Sequence, residues 1–219
     1  MKHCLTCFLV AGSMVIMTVP ATAAQGNPEQ GANLVNQGDG SGAPCFICHG
    51  ADGQGNDAGG FPRLAGLDAG YLEKQMQDYR SGRRISVIMQ PNVDNFSDQQ
   101  ISDIAAYFAG LPASGSQASA NAGGNLLASG ESLVKAGDWD NHIPPCTSCH
   151  GPASQGVGSS FPALAGQHPG YIRQQLTAWK KGERSNDPNH LMTAVAERLS
   201  DAQITAVAAY LGSLSPDGQ

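Results

Sequence analysis

The pentapeptide Cys-x-x-Cys-His occurs twice in this chain, about a hundred residues apart: Cys45-Phe46-Ile47-Cys48-His49 and Cys146-Thr147-Ser148-Cys149-His150. The spacing is chemically restrictive. Two thiols three positions apart can add to both vinyl groups of one porphyrin, and the adjacent histidine then lies under the iron, which makes this a c-type haem attachment motif. Other readings of a cysteine pair fit less well. A redox-active Cys-x-x-Cys does not need the histidine, and structural zinc wants four nearby ligands. A structural disulfide gives no reason for a histidine at the same place twice.

The chain has six cysteines, and the remaining two, Cys4 and Cys7, fall in an N-terminal stretch with the layout of a secretory signal. Lys2 supplies its positive end, an apolar run follows from Leu5 to Val19, and Pro20-Ala21-Thr22-Ala23-Ala24 offers the small residues of a cleavage site. Residues 1–24 are therefore predicted to be removed on export to the periplasm. The competing reading, an uncleaved anchor, meets an apolar run that is short for a bilayer span of roughly 20 residues.

The two motifs belong to a longer repeat. Gly31, Leu34 and Val35 recur as Gly130, Leu133 and Val134. Phe61-Pro62-Arg63-Leu64-Ala65-Gly66 recurs as Phe161-Pro162-Ala163-Leu164-Ala165-Gly166, and Gln75 recurs as Gln175. Ser97-Asp98 and Gln100-Ile101 recur as Ser200-Asp201 and Gln203-Ile204. The chain is thus a tandem duplication: lobe one over 25–111, lobe two over 126–219, and a flexible linker over 112–125 rich in Ser, Ala, Gly and Asn. With 28 Gly and 13 Pro, each lobe is loop-rich. A lobe of this size has trouble burying enough apolar surface alone, a shortage that a large apolar cofactor relieves.

Each lobe carries the same three helix signals and no period-two alternation, so the fold class is all-α. Asn27 caps a first helix at Pro28, whose counterpart in lobe two is read as starting at Ser129. A second helix begins near Asp68, or His168, with Leu72, Met76 and Tyr79, or Ile172, Leu176 and Trp179, on one face, and stops at Gly82 or Gly182. The last helix opens with a capping box, Ser97 with Gln100 and Ser200 with Gln203.

An iron held by one histidine either takes a sixth ligand or leaves that position open, and methionine there suits electron transfer. Met89 and Met192 each lie about forty residues beyond their lobe's attachment histidine, at matching places before the last helix. Met76 aligns with Leu176 and reads as core. His142, His168 and His190 have no histidine counterparts in lobe one, and His190, two residues from Met192, is the main rival ligand.

In combination these motifs resemble the c4-type dihaem cytochromes c, built from two class I cytochrome c lobes, and the resemblance covers nearly all of the chain beyond the signal. It implies two covalent haem c groups, bound by Cys45, Cys48, Cys146 and Cys149, with iron ligands His49, Met89, His150 and Met192. It also implies that the carbonyls of Pro62 and Pro162 accept the Nδ1–H of the two histidines, that Leu64 and Leu164 pack on the haem faces, and that the first and last helices cross near Tyr107 and Tyr210. The two haems are expected close together across a lobe interface.

The formal charge of −6 argues against a nucleic-acid partner. From Ala24 to Pro112 ten acids face five bases, and beyond that eight face six. Such asymmetry either orients docking at opposite ends or simply keeps the protein soluble. The expected function is a periplasmic electron shuttle, with a quinol-oxidising complex or periplasmic dehydrogenase as donor and a terminal oxidase as acceptor. Peripheral membrane association is compatible with it. The alternatives are a cytochrome subunit bound to a dehydrogenase, such as a flavoprotein sulfide oxidase or an alcohol dehydrogenase, and a dihaem peroxidase. The last needs an open or switchable iron, which matched methionines in both lobes argue against.

Overall fold

The computed structural model describes residues 26–115 and 122–216. The predicted signal segment and residues 116–121 of the predicted linker lie outside these. Lobe one contains helices α1 (Pro28–Gln37), α2 (Phe46–His49), α3 (Ala69–Arg80), α4 (Met89–Val93) and α5 (Asp98–Gly110). Lobe two repeats the series as α6 (Gly124–Ala136), α7 (Thr147–His150), α8 (Pro169–Lys180), α9 (Leu191–Ala196) and α10 (Asp201–Ser213). Among the described residues the only β pairing is three isolated bridges.

The long helices form where their caps are. The Asn27 side chain accepts from the amides of Glu29 and Gln30, and Asp68 accepts from Tyr71. Both capping boxes close reciprocally at Ser97–Gln100 and Ser200–Gln203. Gly82 and Gly182, at φ +73° and +70°, follow α3 and α8 in the left-handed region that a stop of this kind requires.

Lobe two departs from the sequence reading at its start. α6 begins at Gly124, not at Ser129, so the last two residues assigned to the linker, Gly124 and Asn125, form its first turn. No side chain marks this start, because Gly123 stands at the cap. Ser129 lies inside the helix with its hydroxyl on the Asn125 carbonyl. A 3₁₀ turn at Trp139–Asn141 also fills a segment that lobe one replaces with a shorter loop. The Asp138 carboxylate fixes it by accepting from Asn141 Nδ2 (2.8 Å) and Gln203 Nε2 (3.0 Å), and Ile143 plugs into the lobe core.

Within each lobe the first helix crosses the last at a glycine. A Cβ on Gly31 would fall on the Asp103 carbonyl and against the Tyr107 Cβ, and one on Gly130 on the Ala206 carbonyl and against the Tyr210 Cβ. The central helix then packs on the last, and its final basic residue ties the two together. Arg80 binds the Phe96 carbonyl (2.6 Å) and Asp98, while Lys180 binds the Leu199 carbonyl (2.7 Å) and Asp201 (2.9 Å). Separate apolar cores result, around Ile101, Ile104 and Phe108 in lobe one and around Ile204, Val207 and Leu211 in lobe two.

The lobes are docked against each other. Gln167 grips the backbone of Arg63 through both amide atoms (2.9 Å each), and the Arg63 guanidinium reaches the Ala165 carbonyl. Asp57 accepts from the Gly170 amide (2.8 Å), and Lys74 donates to the Asn186 carbonyl (2.9 Å).

Because the crossings leave no space for a methyl group, Gly31→Ala and Gly130→Ala should each destabilise the haem-loaded protein by about 1–3 kcal/mol, as overpacking does elsewhere. Thermal unfolding followed by circular dichroism checks this, and an unchanged midpoint would contradict the close approach.

Candidate cofactor sites

In each lobe the attachment pentapeptide forms a single helical turn that ends on its histidine, followed by a glycine at positive φ (Gly50, Gly151). Cys45, Cys48 and His49 stand at i, i+3 and i+4, so their side chains share one face of that turn. Both histidines are buried. His49 Nδ1 lies 3.0 Å from the Pro62 carbonyl oxygen, and His150 Nδ1 lies 2.8 Å from that of Pro162. A carbonyl can only accept, so Nδ1 carries the proton in both rings and Nε2 is left with its lone pair.

That lone pair has no hydrogen-bond partner although it is buried, in His49 and His150 alike. A buried polar atom left in this state calls for an explanation. Burial holds both imidazoles below their ordinary pKa, against a weaker upward pull from the proline carbonyls. They are therefore neutral at neutral pH and suited to a metal. All four cysteines are free, and burial pushes the thiols of Cys45 and Cys146 up to about 11. Among the described residues no group of three or more His, Cys, Asp and Glu gathers to hold an ion, which leaves zinc without a ligand set. Two free cysteines with an orphaned imidazole Nε2 fit the attachment of one haem in each lobe.

The phenylalanine and glycine that complete each site were not singled out from the sequence. Phe61 and Phe161 stand edge-on to His49 and His150, with ring centroids 6.1 Å apart in both lobes. Gly55 and Gly156, both at positive φ, donate their amides to the His49 and His150 carbonyls (2.8 Å), and a Cβ at either would strike the Phe-Pro backbone. The signal available was their exact repetition at matched places. Leu64 and Leu164 are half-buried, each packed against its lobe's core.

Met89 is the first residue of α4 and Met192 the second of α9; both are half-buried against the lobe cores. Different side chains pin the two segments. Ser86 Oγ accepts from the Met89 amide (3.0 Å), and the Asp187 carboxylate accepts from the Thr193 amide (3.0 Å) and hydroxyl (3.2 Å). His190 and His142 are exposed, each in the left-handed region. His168 is occupied elsewhere, with Nε2 2.8 Å from the Gln54 carbonyl of lobe one. Met76 packs against the lobe-one core.

Between the lobes lies a polar ring made from both repeats. Arg84 donates to Gln75 (2.9 Å), Gln175 (2.8 Å) and the Tyr171 hydroxyl (2.9 Å). Arg184 donates to Gln175 (2.8 Å), Gln75 (3.1 Å) and Asn186 (2.9 Å). The two guanidiniums are only 5% and 7% exposed, they cover the Tyr79 and Trp179 rings, and their acceptors are neutral oxygens. The nearby buried carboxylate, Asp78, is engaged by Lys74, Arg83 and Asn186. Burial pushes the Tyr79 phenol up to about 12. At Tyr171 burial acts upward too, but Arg84 and Arg184 together outweigh it and hold that phenol below its usual value. The junction is therefore strongly positive.

Comparison with known proteins agrees with this geometry. The profile of the family described as Cytochrome c matches residues 28–112 and 129–215. A thiosulfate dehydrogenase electron acceptor of Stutzerimonas stutzeri is 42% identical over 210 residues, covering 94% of each chain. A cytochrome c4 of Pseudomonas aeruginosa is 41% identical over 179 residues, 81% of this chain and 87% of its own. The crystal structure of reduced cytochrome c4 from Pseudomonas stutzeri superposes with a TM-score of 0.75 at 37% identity, over 86% of this chain and 99% of that one. A thiosulfate dehydrogenase from Marichromatium purpuratum gives a TM-score of 0.79 at 39% identity, over 85% of this chain but 40% of that one.

Removing either arginine takes one of the two guanidinium donors from each of the Gln75 and Gln175 side-chain oxygens and one of the hydrogen-bonded ties across the junction. Arg84→Ala and Arg184→Ala should each cost about 1–3 kcal/mol in denaturant unfolding and speed amide exchange in α3 and α8. Unchanged exchange there would show that the ring does not hold the lobes together.

Proposed function

Because the chain belongs to the cytochrome c family, as a two-lobed electron carrier with two covalently bound haem c groups, we propose that it serves a periplasmic thiosulfate-oxidising dehydrogenase and passes the electrons to a terminal oxidase. The observation that carries the donor assignment is the match over nearly the whole chain to acceptors of thiosulfate dehydrogenase. Export through the predicted signal at residues 1–24 places it in the same compartment as such a donor.

In this reading Cys45 and Cys48 hold one haem and Cys146 and Cys149 the other, with His49 and Met89, and His150 and Met192, as the axial pairs. Bound haem supplies a one-electron iron couple, and methionine ligation sets its potential high. The chain's own residues supply the rest. The Pro62 and Pro162 carbonyls fix each imidazole's tautomer and orientation and make its Nε2 more electron-rich. Arg84 and Arg184 provide buried positive charge that suits the propionate carboxylates of both haems at the lobe junction. Haems whose propionates were paired with this ring would lie near the lobe junction, where electrons could pass from one lobe to the other. The role is electron transfer and not catalysis.

A second reading is favoured by the Marichromatium purpuratum structure, in which the region like this chain is part of the dehydrogenase polypeptide itself. On that analogy the chain is a bound subunit of its donor and not a free shuttle. Co-purification with a dehydrogenase separates the two.

Mixing the oxidised haem-loaded protein with thiosulfate and a thiosulfate dehydrogenase should reduce both haems, seen in the visible spectrum. No reduction, with ascorbate still effective, would overturn the donor assignment. Carbon monoxide should leave the reduced wild-type spectrum unchanged. Met89→Ala and Met192→Ala should each open one iron, giving about half the change expected of two open haems and a lowered potential for that haem. A full response in wild type would mean that the methionines are not ligands.

A further inference from the structure

We propose that Arg63 makes the pairing of the lobes selective. Its one guanidinium fills a single site on the axis that relates the lobes, so the face of lobe one fits the face of lobe two and rejects a second copy of itself. This selectivity holds whichever protein supplies the electrons.

The junction follows an approximate twofold axis. Gln75 and Gln175 each accept from both Arg84 and Arg184. The start of each central helix also rests on a loop of the other lobe: a Cβ on Gly70 would touch the Ser159 Cβ, and one on Gly170 the Asp57 carboxylate. In such an arrangement a residue and its copy meet equivalent surroundings across the axis.

Arg63 breaks the symmetry. It is 1% exposed, and its two terminal nitrogens donate to the carbonyls of Ala65 (2.5 Å) and Ala165 (2.9 Å). Those alanines are copies of one another in the repeat. A group that binds a position and its copy at once stands on or beside the axis. A second guanidinium arriving by the symmetric path would meet the first at the same two oxygens. The copy of Arg63 is Ala163, so the site is claimed once. The pair four residues on differs in the complementary sense. Gln167 is buried and grips the Arg63 amide and carbonyl, while its copy, Leu67, belongs to the lobe-one core on which Ala163 packs. The contact is polar on one side of the axis and apolar on the other.

Pairs of like lobes fail on these positions. Two lobe-one faces would bring two guanidiniums to one pair of carbonyls, like charges in contact with little water to screen them. Leu67 would also stand where Gln167 serves the buried Arg63 amide and carbonyl, leaving both unsatisfied. Two lobe-two faces would satisfy that backbone, since Gln167 can grip Ala163 as it grips Arg63. They would leave the paired Ala165 carbonyls without the guanidinium and a void where it stands. Unlike lobes satisfy these groups together, a specificity built on rejection as much as on attraction. Each lobe carries one attachment site, so the residue that selects the lobe pair also selects which two haems become neighbours.

The test uses the full haem-loaded chain and compares amide exchange in α3 and α8, which face the junction, with that in α5 and α10, which hold the lobe cores. Ala163→Arg adds a second guanidinium and Arg63→Ala removes the first. Each should speed exchange in α3 and α8 at least about tenfold, while α5, α10 and the visible spectrum stay as in wild type. The quadruple variant Arg63→Ala/Leu67→Gln/Ala163→Arg/Gln167→Leu moves the whole contact to the other side of the axis. It should return exchange to within about threefold of wild type despite carrying the most substitutions. Independent packing roles for the four residues predict the reverse order, with the quadruple variant the loosest. Wild-type exchange in Arg63→Ala or Ala163→Arg overturns the proposal, as does a quadruple variant that is looser than Arg63→Ala or takes up no haem. If Ala163→Arg alone fails to take up haem, Arg63→Ala and the quadruple variant decide the matter between them.

Discussion

One hydrogen bond in each lobe decides what the attachment histidine can do. The Nδ1–H of His49 and of His150 is committed to a proline carbonyl, and with that the tautomer, the ring orientation and the free lone pair are all set. Much of the surrounding backbone serves this bond. Gly55 and Gly156 let the following loop fold back onto the histidine carbonyl, Phe61 and Phe161 guard the imidazole edge, and the helices hold the turn against the lobe core. A small lobe with so little apolar core spends much of its sequence on presenting one nitrogen and two sulfurs.

The second constraint is the cationic junction. Burying two guanidiniums among neutral acceptors is costly, and an arrangement of this kind persists where a further anionic group offsets it. The ring is also pseudo-symmetric: Gln75 and Gln175 each accept from both arginines, so neither lobe completes its own half. Docking of the lobes and burial of the two guanidiniums are thereby coupled, and loosening one disturbs the other. The lobes diverge outside this ring, in the Trp139 turn and in Arg63 against Ala163.

Much of this was legible in the sequence where a residue acts locally. Asn27, Ser97 and Ser200 cap helices through atoms a few positions away, and a pattern read along the chain captures them. The start of α6 was not legible, because a glycine stands where a capping side chain would mark it. Gln75 and Gln175 were visible as a repeated pair without a role, since their partners come from the other lobe. Arg84 and Arg184 also stand at matched places in the repeat, but nothing along the chain marks their role, because the groups they bind come from both lobes.

The sequence by itself determined an all-α duplicated chain, the repeated Cys-x-x-Cys-His motif at Cys45 to His49 and Cys146 to His150, and the two candidate methionines. Covalent spacing and helical period are properties of a short stretch of chain, so they survive being read in one dimension. The tertiary structure alone decided which surface of each lobe meets the other, which polar groups become buried there, and which apolar ones are left facing water. Those outcomes depend on residues about a hundred positions apart approaching within hydrogen-bond distance, and no local pattern encodes that approach.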